Sequence, residues 1–244
     1  AQADTYDTWY GVVQHDASTS EAVARLADLS AGGRVLELAI GTGRIALPLA
    51  AAGLEVHGIE ASEPMVAKLR EKPGGRAIPV AIGDMAEVRM KGTFDLIYLV
   101  FNTIFNLTTQ EAQVRCFKNA ERHLSAKGLF VVETVVPDFS EYVDGQRMKG
   151  SWANVDAARF EIAIQDPVAQ TVAFQRIVIS EDGTKMAPHF MRYAWPSELD
   201  LMAKLAGLER RERWAWWDRS PFTASSKSHV TLYGRAERPV CHSR

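Results

Sequence analysis

The chain has 244 residues, 47% of them apolar, with 28 Lys and Arg against 30 Asp and Glu for a formal net charge of −2. That length and apolar share predict one globular domain with room for a large insertion, and the near-neutral charge excludes the basic stripe of a duplex-binding protein. Two cysteines outside any CxxC pair exclude a disulfide framework or a cysteine zinc site; no apolar run is long enough to span a bilayer, and no secretion signal opens the chain, so a cytoplasmic protein is expected.

In chain order, residues Asp4 to Gln14 place Tyr6, Trp9, Tyr10 and Val13 at helical spacing, giving an aromatic face that suits either a lid or ordinary packing. A second helix is expected over Thr19 to Leu29, capped by Ser18 or Thr19 and ended by Gly32 and Gly33. Val35 to Leu38 then reads as a buried parallel strand interrupted by Glu37. It ends at Ala39 and runs into a turn with Gly41 and Gly43, where positive φ and close ligand approach cost least. From Arg44 a helix is expected, its N-terminus facing that turn. The stretch reads as a nucleotide cradle.

Glu55 to Glu60 predicts the second strand, and Glu60 stands where a carboxylate of a doubly wound sheet accepts adenosine ribose hydroxyls. Ser62 opens a helix with Glu63 and Pro64 in its first turn, and Ile78 to Ile82 forms a third strand. Asp84 and Met85 follow that strand, a carboxylate and a flexible apolar side chain suited to an adenine. Phe94 to Phe101 is the strongest strand signal and belongs at the sheet centre. The loop beyond it, with Asn102 and Asn106 as polar candidates, should border the reacting atoms. A helix capped by Thr108 or Thr109 and ended by Gly128 leads to a fifth strand, Leu129 to Val136.

From Pro137 the pattern changes to antiparallel strands, Arg159 to Gln165, Thr171 to Ile179 and Lys185 to Trp195, expected to form a cap over the ligand crevice. A helix from Pro196 and a strand pair, Leu208 to Trp217 and Ser228 to Arg235, complete an α/β, doubly wound, mostly parallel seven-stranded sheet. The division expected is 1–137 and 196–238 for the nucleotide domain and 138–195 for the cap. Most tryptophans of the cap and beyond (Trp152, Trp195, Trp214, Trp216, Trp217) should pack the cap onto the sheet, with one or two lining an acceptor pocket.

The spacing of Gly41, Gly43 and Ala46 alone fits a dinucleotide as well as an adenosyl sulfonium. Against an NAD-linked oxidoreductase, no tyrosine has the lysine four residues on that short-chain dehydrogenases use; Asp84 has no standard place in dinucleotide binding; and the chain ends in paired strands. Taken together, Glu37, Ala39, Gly41, Gly43, Glu60, Asp84 with Met85, and Phe101 with Asn102 make the chain resemble the seven-stranded class I S-adenosylmethionine-dependent methyltransferases over nearly its whole length. The family often has glycine where Ala39 stands. The resemblance implies that Glu60 holds the ribose, Asp84 the adenine amine and the glycine loop the methionine portion. Ala61 and Met65 complete that wall, and Tyr6 and Tyr10 close over the cofactor.

In style the chain is similar to small-molecule methyltransferases of natural-product and antibiotic pathways. A small-molecule acceptor, no nucleic acid or membrane, and a monomer or homodimer are expected. No Asn-Pro-Pro-Tyr or Asp-Pro-Pro-Tyr motif follows the fourth strand, and no Pro-Cys pair supplies a nucleophile. An amine acceptor needs only to arrive neutral, whereas an alcohol needs a base. His189 is the best base candidate, with Tyr10 and Asn106 as further catalytic candidates, while His57 and His123 read as structural. A methyltransferase of N- or O-type is therefore expected, N slightly favoured. A catalytically inactive cofactor-binding module is the remaining alternative.

Overall fold

Seven strands form one twisted sheet in the order β10-β11-β5-β4-β1-β2-β3 in the computed structural model, which describes residues 17–236. The strands are β1 Val35–Leu38, β2 Val56–Glu60, β3 Val80–Ile82, β4 Phe94–Leu99, β5 Leu124–Val135, β10 Leu208–Trp214 and β11 Ser228–Arg235. Strand β11 runs antiparallel to both neighbours, and the other pairings are parallel. The helices are α1 Ala17–Ser30, α2 Ala46–Ala51, α3 Glu63–Glu71, α4 Gln110–His123 and α5 Pro196–Leu205.

Strand periodicity sorts the core into two layers. Leu36, Leu38, Ile97, Leu99, Phe130 and Val132 face the side covered by α4 and α5 through Phe117, Ala120, Leu199 and Met202. Val35, Tyr98, Val100 and Val131 face the opposite side, covered by α1, α2 and α3 through Leu26, Leu49 and Leu69. Alternation therefore puts Glu37 on the second face beside Tyr98. Strand β4 lies mid-sheet as expected. Because β1 has β2 on one side and β4 on the other, strand order reverses there and opens a crevice at their carboxyl ends.

Between β5 and α5 a second sheet is inserted, β6 Gln146–Ala153, β7 Ala157–Asp166, β8 Thr171–Ser180 and β9 Gly183–Arg192, antiparallel throughout. Its base joins the main core through Ala163, Val172 and Tyr193. Its exit is anchored by the buried Arg192, which donates to Gln113 of α4 at 2.6 Å and pairs with Glu198 of α5 at 2.7 Å.

Several expectations need correction. Helix α1 already contains Ser18 and Thr19, so neither caps it. Helix α2 begins at Ala46 rather than Arg44 and is only six residues long, because the turn through Gly43 continues to Ile45. Gly128 does not end α4: the helix stops at His123 and β5 starts at Leu124, with Gly128 in the strand, where a Cβ would stand 2.7 Å from the Phe94 carbonyl oxygen. Strand β3 is shorter than Ile78 to Ile82, β10 stops before Trp217, and β9 runs Gly183–Arg192 instead of Lys185 to Trp195. Strand β6 was not expected, because its sequence QRMKGSWA mixes charges, glycine and a bulge after Gly150 on an exposed edge.

The tryptophan expectation also changes. Trp214 and Trp217 are buried in the core layer under α1, and Trp216 donates to Glu21 of that helix. The stretch Asp4 to Gln14, with Tyr6 and Tyr10, lies outside the described residues. Among the described residues, no helix is long and apolar enough to cross a membrane.

Thr109 accepts the Ala112 N–H at 3.1 Å and so caps α4. Thr109→Ala is expected to lower stability by about 1 kcal/mol, read as a lower urea midpoint with unchanged slope.

Candidate active site

The crevice has two lips. One is the turn after β1, where Ala39, Gly41 and Gly43 all adopt left-handed backbone, with φ of 57°, 56° and 83°. Gly43 has a second reason to lack a side chain, since a Cβ would stand 2.4 Å from Leu69 Cδ1. Ala39 carries a left-handed strain of about 1 kcal/mol that glycine would not. Glu60, buried at the end of β2, holds this lip: its Oε2 accepts the Gly41 N–H at 2.8 Å and its Oε1 the Ser62 N–H at 2.9 Å. Each oxygen keeps a second lone pair for a further donor.

The other lip follows β4, where Phe101 and Asn102 are also left-handed, with φ of 56° and 61°. Glu133 of β5 holds them. Its carboxylate accepts the Phe101 N–H at 2.5 Å and its carbonyl the Asn102 N–H at 3.3 Å. Asn102 Oδ1 in turn accepts the Val135 N–H at 2.6 Å, which turns this side chain toward β5. The Arg44 guanidinium lies 3.5 Å over the Phe101 ring and so bridges the two lips. Glu37, Ala39, Gly41, Arg44 and Phe101 line the narrow slot between them.

Glu37 is buried and accepts the Tyr98 hydroxyl at 2.8 Å. Burial pushes its pKa from 4.5 up to about 8, against the opposing pull of Tyr98 and the Arg44 charge. Burial likewise raises Glu133 to about 7, opposed by the Phe101 N–H and Arg44. Glu133 was missed by sequence reasoning. Its one signal is a carboxylate inside the apolar run FVVETV, which strand periodicity alone does not tie to β4.

The remaining expected residues sit at several depths. Asp84 is exposed after β3, where its Oδ1 accepts the Ala86 N–H at 2.8 Å. Met85 is buried in the core layer beside Ile59 and Phe117, Ala61 is exposed, and Met65 is half-buried on α3. Asn106 is exposed at the end of the short 3-10 turn Thr103–Asn106. His123 is structural, its Nε2 accepting the Met90 N–H at 2.9 Å.

Beyond the second lip a cavity of about 660 Å³ opens beneath the inserted sheet. Phe105, Phe139, Tyr142, Phe174 and Tyr193 supply its aromatic walls, and among the described residues no tryptophan lines it. Its charged groups are paired: Asp138 with Lys227 at 2.8 Å, Glu141 with Lys149 at 2.9 Å, and Arg147 with Glu161 at 2.5 Å. His189 is not among the lining residues; it stacks on Phe174 from β9, and burial, with the nearby Arg176, lowers its pKa.

A family model for a methyltransferase domain matches residues 35–128, the β1-to-β5 half of the crevice. The CcbJ methyltransferase from Streptomyces caelestis is 40% identical, with 97% of this chain and 96% of that chain covered at a TM-score of 0.89. The chain belongs to the class I S-adenosylmethionine-dependent methyltransferases. A curated relative, the cypemycin N-terminal methyltransferase of a Streptomyces species, is 27% identical over 84% of each chain. The fold is shared with CalS10, an amino pentose methyltransferase from Micromonospora echinaspora solved with S-adenosylmethionine, at 20% identity, a TM-score of 0.69, and coverage of 89% of this chain and 90% of that chain. These methyltransferases use S-adenosylmethionine, and the crevice fits it: a buried carboxylate lines the slot, and a second, at the end of β2, retains acceptor capacity.

Two outcomes follow from the buried acids. Glu37 keeps its proton in the folded state between its ordinary 4.5 and about 8, so its stabilising contribution is complete below the lower value and is lost as pH rises through the upper one. Glu37→Gln should therefore flatten the fall of the cofactor-free melting temperature between these pH values, checked by thermal denaturation across that range. Glu133→Ala orphans the Phe101 N–H and is expected to cost about 1–3 kcal/mol, read by urea denaturation, together with weaker binding of S-adenosylhomocysteine by titration calorimetry.

Proposed function

We propose that this chain transfers a methyl group from S-adenosylmethionine to an amine of a small natural-product intermediate. The observation that carries this reading is the aromatic cavity beside the Phe101–Asn102 lip, whose charged groups are already ion-paired. An amine that arrives neutral needs no base from such walls, whereas an alcohol would. The cypemycin relative, by its name an N-terminal methyltransferase, supports nitrogen over oxygen.

The cofactor supplies an activated methyl group on a sulfonium sulfur. Around it, Glu60 receives the ribose hydroxyls on its remaining lone pairs, the exposed Asp84 the adenine amine, and Glu37 with the left-handed turn the methionine portion. Ala61 and Met65 flank the nucleoside, while Phe101 and Asn102 form the wall next to the acceptor. Residues 138–195 act as the acceptor-side insert, where Phe174, Tyr142 and Tyr193 orient the guest and exclude water from the displacement. His189, behind Phe174, tunes the wall rather than accepting a proton.

S-adenosylhomocysteine is expected to bind in titration calorimetry, and Glu60→Ala to weaken it by about 10- to 150-fold, as for hydrogen bonds to a charged acceptor worth about 1.5–3 kcal/mol. Absence of binding by the native chain sinks the cofactor assignment. With amine and alcohol panels of matched size, product S-adenosylhomocysteine detected by mass spectrometry should form with amines and persist in His189→Ala. Turnover of alcohols alone, lost in that variant, would replace the amine reading with a base-assisted one.

A further inference from the structure

The crevice has more buried acids than cations to balance them. Glu37 lines the slot, Glu60 and Glu133 hold its two lips, and all three side chains are buried. Among the described residues, Arg44 is the one cation that acts on both Glu37 and Glu133; the nearby Lys72 ammonium donates to the Thr42 carbonyl at 3.0 Å. The sheet neighbours add no positive charge, since Gly58 and Tyr98 stand in register with Glu37 and Val230 with Glu133. The helices over this face present Leu26, Leu49 and Leu69. Two buried carboxyl groups therefore share one guanidinium. One negative charge can be balanced by Arg44, and a second in the same dry slot needs a further cation. Glu37 is prepared for that charge, because the Tyr98 hydroxyl at 2.8 Å and the Ala46 N–H both favour its ionised form, while burial and the Glu60 carboxylate oppose it.

We propose that Glu37 and Glu133 distinguish the cofactor from its product by charge: the pair releases a proton to bulk water when a sulfonium occupies the slot and takes one back when methyl transfer leaves a neutral thioether. The inference rests on the reading that the methionine portion lies along the turn beside Glu37.

Charge balances on both sides of this exchange. S-adenosylmethionine and S-adenosylhomocysteine share their adenosine, ammonium and carboxylate, and differ by one methyl group and one positive charge on sulfur. Contacts from Glu60, Asp84 and the glycine turn reach parts common to both, so they give affinity without discrimination. A carboxyl group that ionises only opposite the sulfonium strengthens one complex and not the other. After transfer the two acids again have Arg44 alone, and proton uptake accompanies the weaker hold on the product.

Infrared difference spectroscopy of the native protein tests this without substitution at pH about 7, inside the range from 4.5 to about 8 over which Glu37 keeps its proton. S-adenosylmethionine is expected to remove the carbonyl band of a protonated carboxyl group, and S-adenosylhomocysteine to leave it. Titration calorimetry in two buffers of different ionisation enthalpy should show about one more proton released with the first ligand. A ligand that binds with proton release binds more tightly as pH rises. The ratio of the two affinities should thus grow by up to about tenfold per pH unit and level off above about 8. Each ligand's own ammonium titrates at about 7.7–8.0, but it is the same in native and variant proteins. Glu37→Gln or Glu133→Gln leaves one acid for one guanidinium, and either should abolish the difference in proton release. Equal proton release with both ligands overturns the proposal, as does a difference that survives in both variants. Binding of neither ligand by the native chain overturns the cofactor placement on which it rests.

Discussion

Two buried carboxylates hold the crevice open. Glu60 takes main-chain N–H groups from Gly41 and Ser62, and Glu133 takes that of Phe101, so each side chain pins a loop that left its strand in a left-handed turn. Ala39 and Phe101 adopt that conformation without being glycine, at a cost of about 1 kcal/mol each, and both border the same slot. The strain persists because the sheet overdetermines it: β1, β2, β4 and β5 are buried parallel neighbours whose ends cannot move independently.

Charge in this slot is arranged with equal economy. A single guanidinium, Arg44, acts on both Glu37 and Glu133 and stacks on the ring that joins them. Burial outweighs it in both cases and moves the two acids toward neutral pH, where a cationic ligand would favour their ionised forms. The cavity beneath the insert is built on the opposite rule, with aromatic walls and charges neutralised in pairs.

The insert links these two environments. Its base shares the main core through Ala163, Val172 and Tyr193, and its exit is fixed by the buried Arg192 against α4 and α5. One face of it, with Arg147, Val172, Phe174 and Met191, is aimed at the cavity. A roof of this type is tied to the main sheet at one end.

The alternation and turn chemistry of the chain were enough to determine the seven strands, the glycine cradle, the carboxylates Glu37, Glu60 and Asp84 at or near strand ends and the antiparallel insertion, while the family came from a resemblance carried by those residues together. These signals are local, and each is carried by a few neighbouring residues. Strand β6 was hidden because an exposed edge strand needs no apolar period, and Gly128 misled because a glycine allows close packing in a strand as well as the end of a helix. Only the tertiary structure decided that Trp214 and Trp217 pack under α1, that Asn102 turns to β5, and that Glu133 holds the second lip. It also decided which face of the insert meets the cavity. Each of these rests on contacts between residues far apart in sequence, and strand periodicity states that a side chain alternates without stating what it meets.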